Sequence, residues 1–195
     1  NTNSVFGTAN GTTTSAPIDL DGGVLEIRSE SSLNFAKNFY HRSSGTVYAG
    51  PAVGGSGVNG TFTFGSMAFE DNLTNTFQSR NGYGVSFTTA PVAGTTAGDN
   101  NSTITNSMGG TLSFTGNFWS NANNTGHRTM TIGGNGNTII NGNIVASAAA
   151  FDHILTKSGT GVLTITGVGS TLDGAVNSNG GAIAITDFRS LGTSN

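Results

Sequence analysis

Short runs of alternating apolar and polar residues, cut to length by glycine, fill most of the chain. In the clearest of them Val162, Thr164 and Thr166 fall on one side of an extended backbone and Leu163 and Ile165 on the other, with Gly159, Gly161 and Gly167 marking the bends. A second run, Gly181-Ala182-Ile183-Ala184-Ile185, opens in the same way about twenty residues later. Earlier examples are Gly23 to Arg28, with Leu25 and Ile27 on one face, and Ser32 to Tyr40, with Leu33, Phe35, Lys37 and Phe39 on one face. Gly45 to Ala49, Thr61 to Phe64, Val85 to Thr88, Thr103 to Thr105, Thr111 to Thr115, Thr129 to Ile132 and Thr138 to Ile140 continue the rhythm. Strands opening at this interval are the rungs of an all-β solenoid rather than the arms of hairpins. At roughly 20–25 residues per coil the expectation is about eight coils and a rod near 40 Å long. Leu112 and Ile132, and Leu163 and Ile183, are pairs at the twenty-residue interval. The structural motif is carried by Leu155, Lys157, Gly159, Gly161, Leu163, Ile165, Gly167, Gly181, Ile183 and Ile185.

Between the runs lie connections. Gly50 to Gly60 is glycine-rich and contains Pro51, while Met67 to Leu73 and Phe77 to Gly84 are less regular than their neighbours. Pro91 to Asn101 is of low complexity and reads as a loop projecting from the solenoid. Pro91, Thr95, Asp99 and Asn100 are its candidate surface-binding residues, because a loop on a rigid scaffold can vary without disturbing the stack. Ala146 to His153 reads as an excursion between strands, and Asn1 to Ser15 is a polar segment. Written head to tail, Ser190 to Asn195 runs into Asn1 to Gly7 as one connection toward the strand after Ile18. The chain therefore reads as one solenoid unit over residues 1–195, a period of a tandem array or a subunit that stacks end to end on itself, with a fragment of a longer protein as the other reading.

Two adjoining segments carry a resemblance. Arg128-Thr129-Met130-Thr131-Ile132-Gly133-Gly134-Asn135-Gly136-Asn137-Thr138-Ile139-Ile140-Asn141-Gly142-Asn143-Ile144 and Leu155 to Gly167 resemble the autotransporter-associated β-strand repeat, over about the last third of the chain and more loosely over Gly22 to Tyr48. Val168 to Gly174 departs from that pattern. The resemblance implies a right-handed parallel β-helix with loop insertions, export to the bacterial cell surface, and a structural or adhesive role with surface glycans or other cells as partners. It carries over no catalytic residue.

Composition narrows the function further. Only 9% of the chain is charged, against about 25% in an average globular protein, and 31 residues are glycine. Disorder does not fit, because twelve Phe and the aliphatic residues sit in alternating runs. A net charge of −3 with scattered Lys and Arg offers no basic patch for nucleic acid. The apolar runs fall far short of the ~20 residues of a membrane helix. The absence of cysteine excludes thiolate zinc sites, thiol catalysis and iron–sulfur clusters.

Catalytic chemistry has few anchors. A β-helix enzyme acting on polysaccharides needs carboxylates gathered from neighbouring coils with a basic residue near them. Asp19 with Asp21 and Glu70 with Asp71 are the best local groups, and solvated turns account for both. His41, His127 and His153 are far apart and read as exposed coil-edge residues. Gly133 to Gly136 lacks the lysine and helix of a phosphate loop. Trp119 reads as core, with a sugar-stacking platform as the other possibility. Thr-x-Thr recurs at Thr61, Thr103, Thr129 and Thr164, a pattern that in ranks on a flat face could bind ice; spread unevenly, it reads as ordinary strand composition. No catalytic, metal or cofactor-binding residue is assigned, and the expected function is structural or adhesive. A carbohydrate-active enzyme and a loop-mediated ligand-binding module are the alternatives.

Overall fold

The computed structural model describes residues 17–93, 100–119, 126–145 and 152–192. It is a parallel β-solenoid. One sheet runs, in spatial order, through β1 (Ile18–Asp21), β4 (Phe39–Ser43), β6 (Thr61–Phe69), β8 (Gly84–Ala93), β10 (Leu112–Phe114), β12 (Thr138–Ile140), β14 (Val162–Ile165) and β16 (Ala182–Ile185), with β3 (Leu33–Asn34) beside β6. The other runs through β2 (Val24–Arg28), β5 (Gly45–Gly50), β7 (Thr74–Ser79), β9 (Asn100–Ser107), β11 (Arg128–Gly133), β13 (His153–Lys157) and β15 (Val176–Ser178). Apart from β3 and β4, which both lie in the first sheet, the chain alternates between the sheets, and every described strand pair is parallel.

The coil is longer than the sequence rhythm suggested, and the turns are fewer. Leu163 pairs with Ile183 as expected. Leu112 does not stack on Ile132; it pairs with Thr138, while Ile132 pairs with Ile104 in the other sheet. In mid-chain Thr46 pairs with Thr76 and Val85 with Leu112, advances of thirty and twenty-seven residues. The seven strands of the second sheet are six steps apart, giving about six turns where about eight were expected. Longer coils enclose a wider cross-section, and larger side chains fill it. Phe35, Phe64, Phe87 and Phe114 stack face to face along the axis with centroids 5.2, 5.6 and 5.7 Å apart. Beyond them the same column continues as Ile140, Ile165 and Ile185, where the coils shorten. Each fully buried ring or aliphatic chain contributes about 1.5–3 kcal/mol relative to exposure.

The regions read as irregular are partly strand. Met67 to Phe69 belongs to β6 and Phe77 to β7, with the sheet accommodating a register shift between Ser66 and Ala68. Glycine is required where coils cross at the corners. A Cβ on Gly161 would lie 2.1 Å from the carbonyl oxygen of Gly136 one coil below, and one on Gly167 would lie 2.3 Å from that of Gly142. The glycine punctuation of the sequence is the signature of backbone stacked directly on backbone.

Candidate functional site

The motif residues behave as the alternation requires on the inside. Leu155, Leu163 and Ile165 are fully buried, Val162, Thr164 and Thr166 face outward, and Gly159 and Gly181 take left-handed φ values of 70° and 66°. Ile183 is half-buried and Ile185 exposed, and their strand β16 is the last of its sheet among the described residues. Lys157 is turned inward and buried, its Nζ donating to the carbonyls of Ser158 and, at 3.2 Å, Gly159. Burial lowers the pKa of its ammonium.

Most of the predicted binding loop lies outside the described residues, and its two ends are strand. Pro91 lies within β8 and Asn100 begins β9, so the connection is shorter than residues 91–101. The Asn100 side chain is buried and donates to Asp71, which removes it from any surface-binding role. Thr95 and Asp99 lie outside the described residues.

Two of the three histidines overturn the expectation of exposed coil-edge residues. His41 is fully buried, tilted against Phe39 at 4.9 Å and edge-on to Phe77, with neither ring nitrogen hydrogen-bonded. Desolvation lowers its pKa to about 4. His153 is fully buried, its Nδ1 2.8 Å from Asp173 Oδ1 and its ring edge-on to Trp119. Trp119 is core, not a sugar platform. Only His127 is exposed. The strand alternation decides this: Arg128 and His153 are register partners at inward positions of β11 and β13, and Arg128 is buried with Asp71 at 3.3 Å.

The carboxylates gather differently from their sequence neighbours. Asp19 and Glu70 share Arg42 from adjacent coils, at 3.3 and 4.0 Å, and Tyr40 donates its hydroxyl to Glu70, which raises the phenol pKa. These charges pair with one another on the surface. Glu30 accepts backbone N–H groups from Ala52, Ser56 and Gly57 at 2.8, 3.1 and 2.9 Å and so organises the Gly50–Gly60 connection. An open cleft beside that connection is lined by Arg28, Pro51, Val53, Arg80 and Asn81. Arg28 is already committed there to Glu26 and the Pro51 carbonyl. Among the described residues no three His, Asp or Glu side chains are placed to hold a metal ion.

The most ordered surface is the outer side of the second sheet. Thr74, Thr103, Thr131 and Thr156 are successive register partners in one column, ending on Asn177. Thr46, Thr76 and Thr105 form the column beside it, and Thr129 stands on the other flank with Asn101 and Ile154. None of these eight threonine hydroxyls has an intramolecular partner among the described residues. No outward position of β5, β7, β9, β11, β13 or β15 carries a charge. Sequence reading missed this face for two reasons. Thr74-Asn75-Thr76 was overlooked as a member of the set, and Thr61 and Thr164 belong to the other sheet. The signal was present in coil spacing near twenty-nine residues, which brings Thr74 onto Thr103.

Comparison with protein families, curated proteins and solved structures finds no match to this chain. No helix among the described residues is long and apolar enough to cross a membrane.

Proposed function

We propose that the chain is a non-catalytic structural and adhesive protein of the bacterial exterior, a β-solenoid rod extended through its end rungs. The observation that carries this reading is the unpaired edge of the last described rung. Among the described residues β15 and β16 are each paired on one side only, and Ile185 and Phe188 lie exposed at that end. Another coil, from the same polypeptide or a second copy, fits there by continuing both parallel ladders. The resemblance of the last third to autotransporter-associated repeats supports an exported, adhesive role, and the low overall charge suits a rod that meets surface glycans or other cells.

Sedimentation velocity and electron microscopy at increasing concentration test the assembly. The expected outcome is end-to-end rods whose subunit length is about 30–35 Å, from six to seven steps of ~4.8 Å. An Ile185→Lys substitution should shorten them by placing charge on the open rung. Single short rods at every concentration would remove self-stacking from the function.

A further inference from the structure

We infer that the threonine face of the second sheet is an ice-binding surface. The face is lateral, so this activity stands apart from assembly through the end rungs. Threonines in one column are separated by the distance between paired strands, about 4.8 Å, and threonines two apart on one strand by roughly 6.6 Å. Thr74 with Thr76 and Thr103 with Thr105 form two complete ranks of that grid, Thr131 and Thr156 extend one column, and Thr46 extends the other. Both repeats are fixed by backbone hydrogen bonding and do not depend on any side-chain rotamer.

The chemistry of the positions matches an ordered water lattice. Among the described residues each hydroxyl is without a protein partner, which leaves its hydrogen bonds for water at the same two-dimensional spacing. Each β-carbon also carries a methyl that lies beside that water and limits the orientations open to it. The six strands that bear the face pair without any register shift, so the grid is assembled before it meets its ligand. That removes the ordering loss that weakens flexible binders.

The same face is poorly suited to other partners. It has no outward charge for an ionic ligand. Tyr48 is the aromatic ring among its outward positions, and the Arg28 guanidinium covers it at 5.5 Å, so no bare ring is offered to a sugar. A neutral solid that repeats in two directions is the occupant left by these constraints, and hexagonal ice presents oxygen repeats close to both distances.

The test uses the intact chain and follows the gap between melting and freezing temperatures, together with crystal shape, as ice grows in its presence. The wild-type chain should open a measurable gap and facet the crystals. Thr103→Tyr and Thr103→Lys, which break the flat face at its centre, should abolish both effects, with circular dichroism checking that the strands persist. Thr63→Tyr, outward on the first sheet, should leave them intact. A wild-type chain with no gap and no faceting overturns the inference, as does activity retained in both folded Thr103 variants or lost equally in Thr63→Tyr. Adsorption to crystalline cellulose without any effect on ice would assign the face to a polysaccharide surface and overturn it as well.

Discussion

Two ladders of threonine run along the same rod and do different things. Just past the strand ends of the first sheet Thr115, Thr166 and Thr186 each donate the hydroxyl to a backbone carbonyl one coil below, at 3.3, 3.2 and 3.3 Å. Inside the strands of the second sheet Thr103, Thr131 and Thr156 repeat just as regularly, and among the described residues their hydroxyls donate to nothing. The residue type is one, the stacking is one, and the difference is where the column meets a corner. Where the strand ends, a carbonyl of the coil below comes within reach and the hydroxyl is spent on structure. In mid-strand the ladder consumes every backbone group and the hydroxyl is left for whatever lies outside.

The comparison breaks if the stacking that sustains both ladders breaks, and the corner glycines hold it. At Gly161 an added methyl would sit 2.1 Å from the Gly136 carbonyl oxygen, a backbone atom that cannot step aside without lifting the coil. Gly161→Ala should therefore destabilise the fold by about 3–5 kcal/mol, at the top of the range for point substitutions. Urea unfolding followed by circular dichroism measures it. A loss below about 1 kcal/mol would mean that successive coils slide past each other freely, and the registry of both ladders with them.

How far the sequence could be read follows the same division. The alternation of Leu163 and Ile165 with Val162 and Thr164 was legible because it is local, and β14 follows it residue by residue. Glycine at 159, 161 and 167 marked the bends for a reason confined to the corner. Register was not legible, because it depends on how many residues each coil takes, and that number changes from thirty in mid-chain to twenty at the end. A fixed twenty-residue interval paired Leu112 with Ile132 across different sheets and scattered the threonines that the fold gathers. The same gap sent His41 and His153 to the surface in the reading and into the core in the fold, since polarity alone says nothing about which side of a strand an odd residue faces.

A polar group left without a partner is harmless on the outer face and not inside, and His41 sharpens that contrast. Its two nitrogens are buried between Phe39 and Phe77, and its column neighbours are Leu20 and Phe69. Because its folded pKa of about 4 lies below the ordinary value of 6.5, the unfolded chain binds the proton more readily. Stability is then complete above about pH 6.5 and falls as pH drops toward 4, by on the order of 3 kcal/mol for this residue. His41→Phe should remove that acid-sensitive part and add roughly 1–2 kcal/mol at neutral pH by deleting two unsatisfied atoms. Thermal melts of both proteins across pH 4 to 7 check the sign; identical slopes would show that the imidazole is solvated.

The smallest effects separate the ladders most directly. Thr166→Val keeps the shape and the strand preference but deletes the hydroxyl that bonds the Asn141 carbonyl, and should cost about 1 kcal/mol. Thr131→Val makes the same chemical change on the free ladder and should stay within about 0.5 kcal/mol of wild type, since only water loses a partner. Measured side by side by urea unfolding, the two substitutions differ in nothing except whether the fold uses the hydroxyl. Equal losses would show that the mid-sheet hydroxyls are bonded within the protein after all, and the outer face would lose its free donors. A near-zero change at Thr131 leaves those hydroxyls outside the accounts of folding stability, where only something the rod touches can make use of them.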